Sequence, residues 1–310
     1  MASERAAIQT FKLTKEFNGL VAVNNLDLTI YQGELFSLLG PNGAGKTTTI
    51  NMLCCLLKPS GGTASVLGFD ILKSYFDIRA RIGVSPQDIA ISERLNSWEN
   101  LRVIGRVHGL DAAKLQRRAQ ELLETVGLVD RARDSVNKFS GGMKRRLNLI
   151  MALVHDPEVI FLDEPTLGLD PQSRRAIWEY IADMKGKKTV LLTTHYMEEA
   201  DFLSDRIGII DEGRIVALGT SGELKRGMSV KQALVISASA VSDEILAGLK
   251  EKYGEVKQVR DQLKIFHQGL DLKEVVDHLS ARGVTVYSAA VEQPTLEDVF
   301  LEITGKELKE

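Results

Sequence analysis

Cysteine is scarce in this chain: 310 residues hold two, and they are neighbours, Cys54 and Cys55. Adjacent side chains on a helix point in different directions and form no relaxed disulfide. No disulfide framework is expected, a reducing, cytosolic setting fits, and both thiols read as small buried hydrophobes within a helix. Long apolar runs are also missing. None approaches the roughly 18–20 residues of a membrane span, and the opening MASERAAIQT lacks the apolar core of a signal peptide. Work at a membrane is therefore expected from its side, through a partner. Nor is there an excess of one charge. Against 39 Lys and Arg stand 42 Asp and Glu, a net charge of -3, and the pI is near 6.0. Nothing in this balance is the basic footprint of a nucleic-acid binder, so no nucleic-acid partner is expected. What is present is a 44% hydrophobic content, enough for two domains with their own cores.

The most informative stretch is Leu38 to Ile50, LLGPNGAGKTTTI. Gly40-Pro41-Asn42-Gly43-Ala44-Gly45-Lys46-Thr47 fits G-x-x-x-x-G-K-[ST], the phosphate-binding loop. The glycines let successive N–H groups turn inward toward an anion. Lys46 reaches for the β- and γ-phosphates, and the Thr47 hydroxyl is a Mg²⁺ ligand. The apolar run Leu35 to Leu39 before the loop reads as a buried parallel strand. Thr48 to Leu57 after it reads as a helix with its positive end on the phosphate.

Around this core the pattern changes several times. Ala7 to Thr14 and Leu26 to Ile30 alternate as antiparallel strands, with a turn at Asn18-Gly19. Phe17 beside it is either a core ring or a ring that stacks on an adenine. From Asp88 to His155 the chain reads as a mostly helical insertion. Its stretch Ser97 to Val126 has helical period, with Leu115, Leu122, Leu123 and Val126 on one face. Phe139-Ser140-Gly141-Gly142-Met143 opens a further helix and offers free N–H groups, either a plain N-cap or a second anion-binding end. Val159 to Leu162 is a buried strand that ends in Asp163-Glu164. Two carboxylates there need a cation or protein donors; Asp163 holding Mg²⁺, with Glu164 beside an attacking water, meets that need. Thr189 to Thr193 is the next strand, and His195 follows its end as Gly40 and Asp163 follow theirs, where a parallel sheet gathers its ligand. After about residue 227 the pattern restarts. A strand over Gln232 to Ser237, then helix, two short strands, helix, a strand over Val284 to Tyr287 and a last helix suggest a small ferredoxin-like domain. That last helix has an apolar face at Leu296, Val299, Phe300 and Ile303, which must dock on its own domain or on a second copy.

In this order, over about residues 7 to 225, these pieces resemble the nucleotide-binding subunit of an ABC transporter. The resemblance implies an α/β P-loop NTPase cassette fold. It has a RecA-like core with an antiparallel β subdomain and a helical subdomain at about 88–155, in a domain covering 1–227. A C-terminal regulatory or dimerisation domain covers 228–310. It implies ATP and Mg²⁺ as ligands, and a nucleotide-binding set of Gly40, Asn42, Gly43, Ala44, Gly45, Lys46, Thr47 and Thr48. Phe17 matches the adenine-stacking aromatic, Gln87 the Q-loop glutamine, Ser140, Gly141 and Gly142 the signature, Asp170 the D-loop aspartate and His195 the switch histidine. Glu164 is then the catalytic carboxylate, and Thr47, Gln87 and Asp163 complete the Mg²⁺ shell. Met143 stands where the family signature usually has glutamine, and Phe139 where it has leucine. Met143 with Lys144-Arg145-Arg146, and the ending Pro294-Thr295-Leu296-Glu297-Asp298-Val299-Phe300, resemble the drug- and lipid-exporter branch. The basic run itself also reads as a solvated helix face.

The implied machine is a head-to-tail homodimer with two ATPs between the copies. It sits on the cytoplasmic face of the membrane through a permease subunit, whose coupling helix enters near Gln87 to Trp98. An importer ATPase, a soluble ABC ATPase of translation or DNA repair, and a non-hydrolysing regulatory module are the competing classes. One unsplit cassette without a long coiled coil disfavours the second. Glu164 together with His195 disfavours the third.

Overall fold

The computed structural model of the protein describes residues 5–227, 233–239, 241–259, 262–266, 271–292 and 294–305. These separate into two compact units that divide between Ser221 and Gly222. The first unit opens with β1 (Ala6–Phe17) and β2 (Leu20–Tyr31). Asn18 and Gly19 between them both have positive φ, 48° and 88°, the turn whose twist matches the flanking strands. β3 (Leu35–Leu39) leads through the glycine loop into α1 (Lys46–Leu53). β4 (Gly61–Val66) and β5 (Phe69–Asp70) complete a four-stranded antiparallel sheet in the order β2-β1-β4-β5. After α2 (Tyr75–Arg79) and β6 (Ile82–Ser85) come three helices, α3 (Ser97–Val107), α4 (Ala112–Thr125) and α5 (Gly141–Met151). The chain then alternates through β7 (Val159–Asp163), α6 (Pro171–Ala182), β8 (Thr189–Thr194), α7 (Met197–Leu203), β9 (Arg206–Asp211) and β10 (Arg214–Gly219), and α8 (Ser221–Arg226) begins at the division.

The central sheet runs β10-β9-β3-β8-β7-β6 and is parallel except for the β9–β10 hairpin. Its strands are continuous apolar runs because both faces are covered. Ile160, Leu162 and Leu192 join one core with Leu122 and Leu147 of the helical region. Val159, Phe161 and Leu191 join the other with Phe36, Leu38 and Ile50. Successive residues on one strand thus serve opposite cores.

Three expectations are corrected here. The helix after the loop starts at Lys46 and stops at Leu53, so the two cysteines are not within it. Cys54 caps its end, Cys55 turns left-handed at φ 57°, and the Leu56 N–H donates to the Asn51 carbonyl at 2.8 Å, a helix-ending closure that uses cysteine where glycine is usual. The helical period of Ser97 to Val126 is divided between α3 and α4 by Gly109, at φ 73°, although Leu115, Leu122, Leu123 and Val126 are all buried as expected. The basic run on α5 is not a solvated face: Arg145 is buried, and Arg146 donates to the Val126 carbonyl at 2.8 Å.

The second unit contains β11 (Ala233–Ala238), α9 (Asp243–Tyr253), β12 (Glu255–Val259), β13 (Gln262–Phe266), α10 (Leu272–Ser280), β14 (Val286–Glu292) and α11 (Leu296–Thr304). The sheet order β12-β13-β11-β14, antiparallel throughout, is that of a ferredoxin-like unit. Gln232, expected to open its first strand, lies outside the described residues. β14 begins at Val286, two residues later than expected, and runs on to Glu292. As an edge strand it carries small and polar residues there, Ser288 to Ala290, which gave no strand pattern. On α11, Leu296, Val299 and Phe300 are fully buried within the single chain, which leaves that face unavailable to a second copy; Ile303 is exposed.

His155, just after α5, joins the helical region to the sheet. Its Nε2 bonds the Ile82 carbonyl at 2.9 Å, and its ring stacks on His108 at 3.6 Å. Burial, and then the His108 ring, push it down to about 4 from an ordinary 6.5. Between those two values the unfolded chain binds more protons than the folded one, so stability falls as pH is lowered. His155→Gln, which cannot take the charge, is expected to lose less Tm than the wild type over that interval in a pH series of melts. Equal losses would show that His155 does not contribute to acid sensitivity.

Candidate nucleotide-binding site

The strand ends of the central sheet come level. Leu39 of β3 lies opposite Thr194 of β8, and Asp163 of β7 opposite Thr193. Gly40, Glu164 and His195 are the residues that follow, so one edge of the sheet carries all three. The loop after β3 is forced into shape by its neighbours. A Cβ on Gly40 would sit 2.3 Å from the Ile210 carbonyl oxygen. At Gly45, φ is 102° and a Cβ would sit 2.4 Å from the Ala22 carbonyl oxygen; only glycine fits there. The loop encloses a cleft of about 260 Å³ lined by Asn42, Gly43, Gly45, Lys46, Thr47 and Thr48, with Gln87 and Glu164 across from them. Ala44 is buried beneath it. Gly45 is the N-cap of α1 and provides no side-chain cap, so the first N–H groups of that helix stay available for an anion.

Glu164 closes the cleft and is 3% exposed. The Lys46 ammonium, 5% exposed, lies 3.1 Å from its Oε1 and also donates to the Gly40 and Pro41 carbonyls at 2.7 and 3.1 Å. On the other side, His195 Nδ1 is 2.8 Å from Glu164 Oε2; a carboxylate only accepts, so that nitrogen carries the proton. Burial pushes the Glu164 carboxyl up, but the His195 hydrogen bond and the Lys46 charge outweigh it and hold the group below its ordinary range. It is ionised at neutral pH.

Next to it, Asp163 is buried and accepts from the Thr193 hydroxyl and from the Thr47 hydroxyl, the latter at 3.2 Å. Its carboxylate makes no ion pair among the described residues. Those residues also contain no group of three or more His, Cys, Asp and Glu side chains able to cage a metal. One carboxylate, one hydroxyl and the nearby Gln87 amide form a hard-oxygen set. That set suits a Mg²⁺ ion whose remaining ligands are phosphate and water.

Not every predicted residue is in this cleft. Ser140, Gly141 and Gly142 begin α5, and Asp170 caps α6; none lines the cleft. They neighbour one another instead, since a Cβ on Gly142 would meet the Ser173 hydroxyl at 3.1 Å. Phe17, at the end of β1, is 43% exposed with Lys15 over its ring and also stands outside the cleft wall. A larger cleft of about 1030 Å³, walled by Gly33, Glu34, Thr189 and Arg206, opens where the parallel strands begin and holds none of the predicted residues.

Three residues outside the predicted site set support the site. Thr193 accepts from the Glu164 N–H through both its carbonyl and its hydroxyl, each at 3.1 Å. Glu199 of α7 is fully buried and accepts from the Thr166 hydroxyl at 2.7 Å and the Trp178 indole at 2.8 Å. It thereby ties the segment after Glu164 to α6, and burial pushes its carboxyl up. Arg145 reaches beneath Asp163 and Glu164. A signal for it was present in hindsight: it sits one turn beyond Gly141-Gly142 on a helix whose next positions, Leu147, Leu149 and Ile150, are all core.

The family model for ABC transporters matches residues 23–167. The daunorubicin/doxorubicin resistance ATP-binding protein of Streptomyces peucetius is 41% identical over 309 residues, covering 96% of this chain and 92% of the relative. The Nod factor export ATP-binding protein I of Paraburkholderia xenovorans is 40% identical over 312 residues, covering 98% and 99%. A solved dimeric ATP-binding cassette in a post-hydrolysis state, bound to ADP and Pi, is 27% identical with a TM-score of 0.64, covering 69% of this chain and 98% of that one. At these identities and coverages, the chain belongs to the ABC transporter family, as an ATP-binding subunit of its drug-resistance branch.

Proposed function

We propose that this chain is the ATPase that powers export through a separate membrane permease, working as a head-to-tail pair of copies. The observation that carries the reading is Glu164: a buried carboxylate, held ionised between Lys46 and His195, at the wall of the phosphate cleft. An ionised carboxylate in that place can accept a proton from, or polarise, a water that attacks the γ-phosphate. Lys46 and the N–H groups of the loop and α1 would hold the phosphates. His195 orients Glu164 through its Nδ1 proton. Thr47, Asp163 and Gln87 would hold Mg²⁺, which when bound neutralises charge on the phosphates. Phe17 would receive the adenine ring.

Pairing is supported by what each copy has outside its own cleft. Ser140, Gly141 and Gly142 present a second helix start, beside Asp170. Two helix N-termini can cap one phosphate chain from opposite sides only if they come from different copies. Closure on ATP and opening after hydrolysis would then drive the permease. The resemblance to a drug-resistance protein and to a Nod factor exporter favours export over import. Among the described residues no helix is long and apolar enough to cross a membrane, which fits a peripheral place on its cytoplasmic face. The second unit, without a phosphate loop of its own, would tune the cycle.

Glu164→Gln is expected to keep ATP binding and lose nearly all turnover, accumulating closed pairs in ATP and Mg²⁺; ATPase rate and sedimentation read both. Normal turnover would remove Glu164 from its role. Lys46→Ala is expected to lose most of its ATP-induced melting shift. Ligand binding stabilises by RT ln(1 + [L]/Kd), about 2.7 kcal/mol at a hundredfold excess over Kd, so an undiminished shift in the variant would contradict the assignment. Ser140→Arg is expected to bind ATP but not to hydrolyse it. Mixing it with Lys46→Ala should restore activity, because a mixed pair joins the intact loop of one copy to the intact Ser140 of the other. With half the pairs mixed and one good site in each, recovery to about a quarter of the wild-type rate is expected. Full activity of Ser140→Arg alone would show that single copies suffice.

A further inference from the structure

The Arg145 guanidinium is 3% exposed, on the helix that begins at Ser140. A guanidinium has five N–H donors in a planar fork and no acceptor. Here it faces five main-chain carbonyls. Nε donates to Pro165 at 2.8 Å. Nη1 donates to Gln87 at 2.7 Å and reaches Pro86 at 3.4 Å. Nη2 donates to Asp163 at 3.1 Å and to Glu164. The donors and acceptors match in number, and the acceptors come from two separate segments. Neither segment is on the helix that carries the arginine.

Glu164 is the second observation. It is a non-glycine residue at φ 50°, in the left-handed region, which persists only where surrounding groups over-determine it. Its N–H is held by Thr193 and its carbonyl by Arg145. The two clamps fix the peptides on either side of the Cα, and so fix the direction in which the carboxylate leaves it.

We propose that Arg145 is the positioning residue that aims the Glu164 carboxylate into the cleft and gears it to the Gln87 loop and to the helix bearing Ser140. The proposal rests on the reading of Glu164 as the group that acts on water. A shift of α5 when Ser140 engages the partner copy's phosphates would reach Glu164 and Gln87 through one side chain. Lysine cannot replace it, since three donors at a single point do not span both segments.

The test is steady-state ATPase kinetics of Arg145→Met and Arg145→Lys, alone and with Glu164→Gln, beside ATP-induced melting shifts. Arg145→Met is expected to lower kcat about tenfold or more with KM within about twofold, the signature of a contribution made after substrate binding. Arg145→Lys should fall between it and the wild type. In the Glu164→Gln background neither substitution should lower the residual rate further, because both changes act through one group. Wild-type kcat in Arg145→Met, a raised KM at unchanged kcat, or a further loss on top of Glu164→Gln would each overturn the proposal. If Arg145→Met does not fold, Arg145→Lys decides: wild-type kcat in that folded variant refutes the positioning role. Full turnover in Glu164→Gln would defeat the underlying reading and this proposal together. A dead Glu164→Gln with fully active Arg145 variants would defeat this proposal alone.

Discussion

Glu164 must be kept charged while almost no water reaches it, and much of the first unit is arranged around that requirement. A carboxylate taken out of water costs several kcal/mol unless it is paired and hydrogen-bonded. Lys46 and His195 provide the partners, one from the loop after β3 and one from the end of β8. Neither can be there unless the parallel register sets Leu39 opposite Thr194 and Asp163 opposite Thr193. A slip of one residue would also turn Ile160 and Leu162 into the wrong core. Packing on both faces of the sheet therefore protects the geometry of the charge.

The same pairing explains what the cleft does when it meets a phosphate chain. Lys46 already satisfies two carbonyls and a carboxylate. A phosphate entering the cleft is a further anion in competition with Glu164 for that ammonium. Any sharing of the charge leaves Glu164 more dependent on His195. The loop carbonyls and the Glu164 carboxylate are thus joined by one buried cation. Ser140 to Gly142 and Asp170 lie apart from that cation, at helix starts outside the cleft.

Much of this was legible in the residues. The loop Gly40 to Thr47 is written in glycine spacing and one lysine, and the need for glycine at position 45 is borne out by the Ala22 carbonyl beneath it. The strands β3, β7 and β8 are apolar runs, and the cores they enter follow from their alternation. The small second unit showed its order of elements by periodicity alone. Other features did not show. Cys54 and Cys55 read as helix because nothing in their type forbids it; a hydrogen bond from Leu56 back to Asn51 ends the helix before them. β14 was shortened because an edge strand can be small and polar on its outer positions.

Arg145 marks the boundary most clearly. By its type and its neighbours Lys144 and Arg146 it reads as a solvated charge. Its hydrogen-bond partners are instead the carbonyls of Pro86, Gln87, Asp163, Glu164 and Pro165, and the Asp163, Glu199 and Glu164 carboxylates nearby favour its charge against burial. The sequence by itself determined the glycine loop, the strand-end carboxylates, the histidine that follows β8 and the two-unit plan, since each is carried by residue types at short, regular spacings. Which carbonyls converge on one guanidinium, and that Glu164 takes a left-handed turn to meet it, only the tertiary structure decided. Every residue carries a main-chain carbonyl, so no letter of the sequence distinguishes the five that are brought together.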